Sequence, residues 1–249
     1  MLLLNGGNEF QPGNEPQDRL LVAAAGRGPA LVVPTAAARQ GPERAVATGR
    51  AWFERLGLAM EELPVRTRGE AQSTELASRA REAGLLYMVG GDPGYVVRTL
   101  GGSRVWEAMA DAWRAGAALA GSSAGAMALC AWSLINAGWP RRGRRRAMPA
   151  LCLVPGVAVL PHHNAFGKTW TVADPPAGLL LLGIDELTAA VWEPPREIRT
   201  PPPRFRGDPG GGTWRAMGAG AVTIGERRFT AGQECTGLPP PDGVPPRDP

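Results

Sequence analysis

The chain has 249 residues, 44% of them apolar, and a formal net charge of +4. That length supports a substantial core and the charge only weakly favours a phosphate-backbone partner, while 34 glycines and 25 prolines without a periodic array exclude collagen-like and repeat architectures. Cys130, Cys152 and Cys235 are widely spaced with no CxxC pair, which argues against a disulfide scaffold and a zinc knuckle and fits a reducing cytoplasm.

The opening MLLLNGGNEFQPG has no basic leader, and its leucine run is too short for a signal peptide or a membrane span. Leu2 to Leu4 reads as a first strand entering the loop Asn5-Gly6-Gly7-Asn8-Glu9, where Glu9 either faces a site or is simply solvated. Gln17 to Ala25 has helical character, Pro29 to Pro34 reads as a buried strand, Pro42 to Leu56 as a helix stopping at Gly57, and Leu58 to Val65 as another strand. Ser73 to Glu82 predicts a helix, and Leu85 to Val89 a central strand ended by Gly90-Gly91-Asp92-Pro93-Gly94. Tyr95 to Leu100 and Arg104 to Arg114 are helical, and Ala118 to Ala120 is a short apolar strand. Short apolar strands alternating with helices are the signature of a mostly parallel sheet, with a site expected in loops at the strands' C-terminal ends. Neither glycine-rich loop, Gly90 to Gly94 nor Gly121 to Gly125, matches GxGxxG or GxxxxGK[ST], so no nucleotide cofactor is expected.

The second of those loops lies in ALAGSSAGAM, Ala118 to Met127, and holds a GxSxG match centred on Ser123. In such a strand-to-helix elbow, small neighbours let the backbone bend sharply and leave the serine hydroxyl exposed, and the helix start offers unpaired N–H groups to an oxyanion. The same string also serves as an ordinary structural turn. Ala126 to Ile135 is expected to continue as an apolar helix, which would set Cys130 two turns beyond Ser123. The run Arg141-Arg142-Gly143-Arg144-Arg145-Arg146, flanked by Gly138, Pro140 and Pro149, reads as a solvent loop. It lacks the interleaved aromatics of a nucleic-acid patch, and a substrate carboxylate or an acidic partner is the other reading.

Val157 to Leu160 predicts a strand ending in Pro161-His162-His163-Asn164, and His162 and His163 are the two histidines of the chain. A serine needs a base within hydrogen-bond reach, and imidazole has a suitable pKa. Adjacent residues leaving a strand diverge, so one of the pair would address Ser123 and the other not; turn histidines without a catalytic role are the alternative, and metal ligation lacks further ligands at suitable spacing. Ala112 to Ala173 contains no Asp or Glu, so a third group comes from elsewhere. Asp185-Glu186, between the strand-like runs Leu179 to Ile184 and Leu187 to Trp192, offers two acids on opposite faces. Either could orient the histidine, or both could serve a turn between antiparallel strands.

LLLNGGNE, LYMVGGDPG, AGSSAGAM, VAVLPHHNAFG and LGIDELTAAV, together spanning Leu2 to Val191, resemble peptidase family S51, the group of aspartyl dipeptidase (peptidase E) and cyanophycinase, with a class I glutamine amidotransferase-like fold. The resemblance implies Ser123 as nucleophile, His162 as general base and Glu186 as the acid. The Ser-His-acid order is similar to the Cys-His-Glu order of glutamine amidotransferases with serine in place of cysteine. Backbone N–H groups of Ala124 and of Gly91 or its neighbour would form the oxyanion hole. Gly90, Asp92, Ser122, His163, Asn164, Lys168, Asp185 and Glu9 are further candidates to line the site. Three positions depart from the family: Pro93 stands where Gln is common, Lys168 where Arg is common, and His163 where an aromatic residue is usual. Proline brings no amide and no N–H, and lysine lacks the bidentate geometry of arginine.

After Trp192, residues 193–213 read as a proline- and glycine-rich excursion, and Trp214 to Met217, Ala221 to Ile224 and Arg228 to Thr230 as short strands completing the sheet, the last two joined around Gly225-Glu226. The expected architecture is a three-layer α/β fold, a mostly parallel, flavodoxin-like sheet with helices on both faces and Ser123 on the elbow. Residues 1–236 would form a single hydrolytic domain and 237–249 a Pro-rich tail that is disordered or laid over the surface. The expected activity is a cytoplasmic serine-type peptidase or amidohydrolase acting on a small peptide or isopeptide amide, without cofactor or metal. No membrane contact is expected, nucleic acid is disfavoured as a partner, and several apolar helices would allow a homodimer. The competing functions are a catalytically silent ligand- or partner-binding domain and a protein acting through its basic run.

Overall fold

The computed structural model describes residues 1–137, 143–194 and 212–241. In chain order these form β1 (Leu2–Asn5), α1 (Glu15–Ala24), β2 (Ala30–Val33), α2 (Pro42–Arg55), β3 (Met60–Glu62), α3 (Arg68–Ala71), α4 (Thr74–Arg81), β4 (Leu85–Met88), α5 (Pro93–Leu100), α6 (Arg104–Arg114) and β5 (Ala118–Ser122). The second half contributes α7 (Ala124–Leu129), β6 (Cys130–Asn136), β7 (Arg144–Pro149), β8 (Val154–Leu160), β9 (Thr171–Ala173), β10 (Leu180–Ile184), β11 (Thr188–Glu193), β12 (Thr213–Gly218), β13 (Ala221–Ile224) and β14 (Arg227–Thr230).

Successive side chains of a strand point to opposite faces, so a continuous apolar run has both faces buried. Leu2 and Leu4 accordingly join one buried cluster and Leu3 another. The face carrying Leu3, Val32 and Tyr87 is covered by Leu21 of α1 and by Val46, Trp52 and Phe53 of α2. The opposite face is covered by α4, α5, α6 and α7 through Ala77, Val96, Trp106 and Met127. These strands lie in a sheet of order β12-β11-β1-β5-β4-β2-β3. Its members β1, β5, β4, β2 and β3 run parallel, with β11 antiparallel to β1. This is the expected flavodoxin-like α/β arrangement with helices on both faces.

A second sheet, of order β14-β13-β10-β8-β6-β7-β9, adds to it. Its central strands β6, β8 and β10 are parallel, and Val154, Val157, Val159 and Leu182 share the buried cluster that includes α7 and one face of the first sheet. The expectation that the C-terminal strands complete one sheet is therefore corrected: β12 extends the first sheet, and the β13–β14 hairpin, turning at Gly225-Glu226, extends the second. β8 runs through Pro155-Gly156, where Gly156 has φ +68° and the pairing with β6 changes register.

Two further expectations are corrected. The helix begun at Ala124 stops at Leu129, and Cys130 to Asn136 are strand β6. A short apolar run does not distinguish helix from buried strand by periodicity, and pairing with β7 and β8 decides the matter. The basic run is not a solvent loop where it is described: Arg144 to Arg146 belong to β7, between β6 and β9. Strand alternation sends Arg144 and Arg146 to solvent and lays the Arg145 guanidinium 3.8 Å from the centre of the Trp170 ring. Arg141 and Arg142 lie outside the described residues, as do 195–211 of the expected excursion and 242–249 of the expected tail. Near the start of that tail Trp214 donates its indole N–H to the Pro239 carbonyl at 2.8 Å, which holds the segment against β12. Among the described residues no helix is long and apolar enough to cross a membrane.

Candidate active site

Ser123 joins β5 of the first sheet to α7, and from there the chain passes into β6 of the second. Its backbone is strained, with φ +47° and ψ −108°, a conformation that L-residues rarely adopt. The GxSxG glycines explain how the turn closes. A Cβ on Gly121 would lie 2.6 Å from the Gly125 carbonyl carbon, and a Cβ on Gly125 would collide with the Met88 carbonyl oxygen. The Ser123 N–H donates to the Asn5 carbonyl at 2.9 Å, which ties the elbow to β1.

His162 follows β8 and Glu186 follows β10, two adjacent parallel strands of the second sheet. The His162 Nε2 is 3.2 Å from Ser123 Oγ, and its Nδ1 is 2.8 Å from Glu186 Oε1. The His162 N–H donates to the Gly6 carbonyl at 2.7 Å, and Gly6 donates to the Thr188 carbonyl at 2.9 Å, stitching the ends of the two sheets together. The imidazole packs directly over Gly7, where φ is +124° and a Cβ would overlap the ring. Phe166 stacks on the ring at 4.9 Å between centroids and 21° between planes. Glu186 is steadied by its own N–H, which donates to Asn164 Oδ1 at 2.9 Å.

The turn after β8, in which His162 takes φ +49°, separates the neighbouring pair. His163 packs against Gly183 and stands 3.7 Å from Asp185 Oδ1, and burial lowers the pKa of His163. The Asp185 carboxylate, 3% exposed, accepts from the Ala221 N–H at 3.0 Å and from Arg228 at 3.1 Å. Asp185 therefore anchors β13 and β14 to the end of β10, while Glu186 meets His162. The turn that carries the two acids does not join paired strands, because β10 and β11 belong to different sheets.

Glu9 accepts from the Gly90 N–H and from the Ser122 hydroxyl, each at 2.8 Å. Beyond the engaged Gly90 N–H, the Gly91 N–H makes no hydrogen bond among the described residues, and the Ala124 N–H opens the unpaired first turn of α7 together with those of Gly125 and Ala126. Asp92 is a helix cap: its carboxylate accepts from the Tyr95 N–H at 2.9 Å, with Pro93 in the first turn of α5, where a missing N–H costs nothing. Lys168 is exposed on the short 3₁₀ turn Gly167–Thr169. Burial pushes the Cys130 thiol far above its ordinary pKa, so that it offers no thiolate near this elbow.

The sequence model of peptidase family S51 matches residues 1–173. The chain belongs to peptidase family S51. A peptidase from an acI-B1 Actinobacterium, known from its crystal structure, is 28% identical and superposes with a TM-score of 0.73 over 94% of this chain and 95% of that one. A peptidase E candidate from Listeria monocytogenes EGD-e, 16% identical with a TM-score of 0.53 over 92% of this chain and 98% of that one, shares the fold. No curated protein sequence matches the chain significantly. The S51 match includes the elbow and His162 and ends before Glu186, so the pairing of Glu186 with His162 rests on the distance between them.

In this S51 peptidase Ser123 and His162 open onto a cleft of about 430 Å³, walled by Asn8, Glu9, Gln11, Gln40, Arg44, Gly90 and Gly91. Gln40 and Arg44, near the start of α2, escaped the sequence reading because an exposed helical arginine has no local signature. Gly7 permits a close approach to its backbone, and what approaches is the His162 ring. Phe166, an exposed large apolar side chain at 47%, was also missed. Its spacing of four residues from His162 was the available clue.

Proposed function

We propose that this S51 peptidase is a serine-type hydrolase that cleaves a small peptide or isopeptide amide through an acyl-enzyme. The observation that carries the reading is the hydrogen-bonded series Glu186–His162–Ser123, with 2.8 Å and 3.2 Å between successive polar atoms. Ser123 sits on a strained elbow beside unpartnered N–H groups, and the cleft volume lies in the roughly 300–1,000 Å³ range of small-ligand sites.

With its Nδ1 proton donated to Glu186, the His162 ring presents Nε2 as an acceptor to the Ser123 hydroxyl. Ser123 Oγ attacks the amide carbonyl as His162 takes its proton, and the Gly91 and Ala124 N–H groups receive the oxyanion. Collapse breaks the C–N bond, and the amine departs with the proton from His162. Water, deprotonated by the same imidazole, then adds to the ester and returns Ser123 with a carboxylic acid as the second product. Glu186 holds the Nδ1–H of His162 and stabilises the imidazolium.

A fluorophosphonate should label the wild-type protein once per chain, and Ser123→Ala should abolish the label without lowering Tm. A dipeptide and isopeptide library, with that variant as blank, identifies the substrate. Equal labelling of wild type and Ser123→Ala refutes the nucleophile assignment. A wild-type protein that neither labels nor hydrolyses any library member is instead a ligand-binding member of the family.

A further inference from the structure

We propose that Glu9 is a positioning residue, whose carboxylate clamps the Gly90-Gly91 turn to the Ser122-Ser123 elbow and thereby sets the spacing of the oxyanion donors on Gly91 and Ala124. This rests on the serine-hydrolase reading above.

Three segments remote in sequence meet at this carboxylate. Oε1 takes the Gly90 N–H and Oε2 the Ser122 hydroxyl, both at 2.8 Å. Ladder hydrogen bonds align β1, β5 and β4 up to Asn5, Ser122 and Met88; beyond them the Ser123 N–H ties the elbow to Asn5 and the Asp92 N–H ties the other turn to the Ala36 carbonyl, but the ladder does not join the two turns to each other. Glu9 supplies the missing link through charge-assisted bonds, stronger than those between neutral groups. The fit is close: a Cβ on Gly90 would lie 3.0 Å from Glu9 Oε1 and 3.4 Å from Ser123 Cβ. Occupying the Gly90 N–H also selects Gly91 as the donor that remains. A carboxylate beside a developing oxyanion opposes it electrostatically; its place there is explained by the geometry it enforces. Ser122 is the other half of the clamp. Fully buried, it aims its hydroxyl at Glu9 and away from the chemistry.

Donors displaced by an ångström forfeit transition-state stabilisation more than substrate binding. In the full-length protein, Glu9→Ala should lower kcat on the order of 10- to 100-fold with KM within about threefold, and slow fluorophosphonate labelling in parallel. Glu9→Gln keeps an acceptor for Gly90 N–H and a donor for Ser122 Oγ, and should recover most of the lost kcat. The double variant Glu9→Ala/Ser122→Ala should be no slower than Glu9→Ala, because the two side chains act as one unit. If Glu9→Ala does not fold, Ser122→Ala against Ser122→Thr carries the test: the alanine should slow labelling several-fold and the threonine, which keeps the hydroxyl, should restore it.

Wild-type kcat in Glu9→Ala, a loss confined to KM, or a Glu9→Gln as slow as Glu9→Ala would each overturn the clamp. So would equal labelling of Ser122→Ala and Ser122→Thr. Ser123→Ala separates the two levels of failure. Labelling that persists in Ser123→Ala removes the hydrolase reading itself, whereas a silent Ser123→Ala beside a Glu9→Ala that labels at the wild-type rate removes only the role of Glu9.

Discussion

Asp18, on α1, is fully buried, and replacing it with asparagine should change how stability depends on pH. Its Oδ2 accepts from the Trp52 indole N–H at 2.8 Å, while Oδ1 has no hydrogen-bond partner. Burial, only partly offset by the Trp52 bond, raises its pKa from 3.8 to about 7. Between those two values the folded protein holds a proton that the unfolded chain has released. Stability contributed by the neutral carboxyl is therefore present below about pH 4 and lost as the pH rises towards 7, after which the loss is constant. A shift of about three units, at about 1.4 kcal/mol each, sets a ceiling of about 4 kcal/mol. The asparagine of Asp18→Asn cannot titrate, and its amide oxygen can still accept from Trp52. Its own unpaired amide N–H adds a cost on the order of 1–3 kcal/mol that does not vary with pH. Urea unfolding of both proteins across this range isolates the titration, because contributions from other groups cancel in the difference. That difference should move in favour of Asp18→Asn by up to about 4 kcal/mol from acid to mildly alkaline conditions. A difference that stays constant to within about 1 kcal/mol would refute the argument.

Three further predictions separate the paired residues and test the contact beneath the base. Glu186→Gln should lower kcat on the order of 10²- to 10⁴-fold by releasing the His162 orientation while leaving Tm nearly unchanged. Asp185→Asn should instead lower Tm and leave fluorophosphonate labelling near wild type, because Asp185 holds the Ala221 N–H and Arg228. Gly7→Ala should displace the His162 ring and slow labelling on the order of 100-fold, since its new methyl would occupy the imidazole's position at φ +124°. A Gly7→Ala protein that labels at the wild-type rate would show that the ring does not depend on this contact.

Much of the first sheet was legible because both of its strand faces are buried. Runs such as LLLN, ALVV and LLYM declare themselves without knowledge of their partners, and Pro42, Gly57, Gly84 and Gly116 punctuate the helices between them. The elbow was legible for a related reason: Gly121 and Gly125 are demanded by contacts within a few residues of Ser123 or with the neighbouring strand end. The short α3, opened by the Thr67 capping box, and the edge strand β9 were not anticipated, being too brief to show a period. Cys130 to Asn136 misled because apolar content alone does not choose between helix and strand, and Arg144 to Arg146 because charge alone does not reveal that one guanidinium will stack on Trp170.

The amino-acid sequence by itself determined the α/β class, the elbow and the short list of bases and acids. The tertiary structure decided which of that list meet. Asp185 and Glu186 are equivalent as letters, and so are His162 and His163. The positions of the two sheets bring Ser123, at the end of the first, to His162, at the end of a strand of the second, and the turns that follow β8 and β10 pair His162 with Glu186 and His163 with Asp185, which also holds Arg228. The chain crosses between those sheets at Ser123 and again at Asp185-Glu186, so the distances that define the site belong to a long-range arrangement that no local pattern encodes.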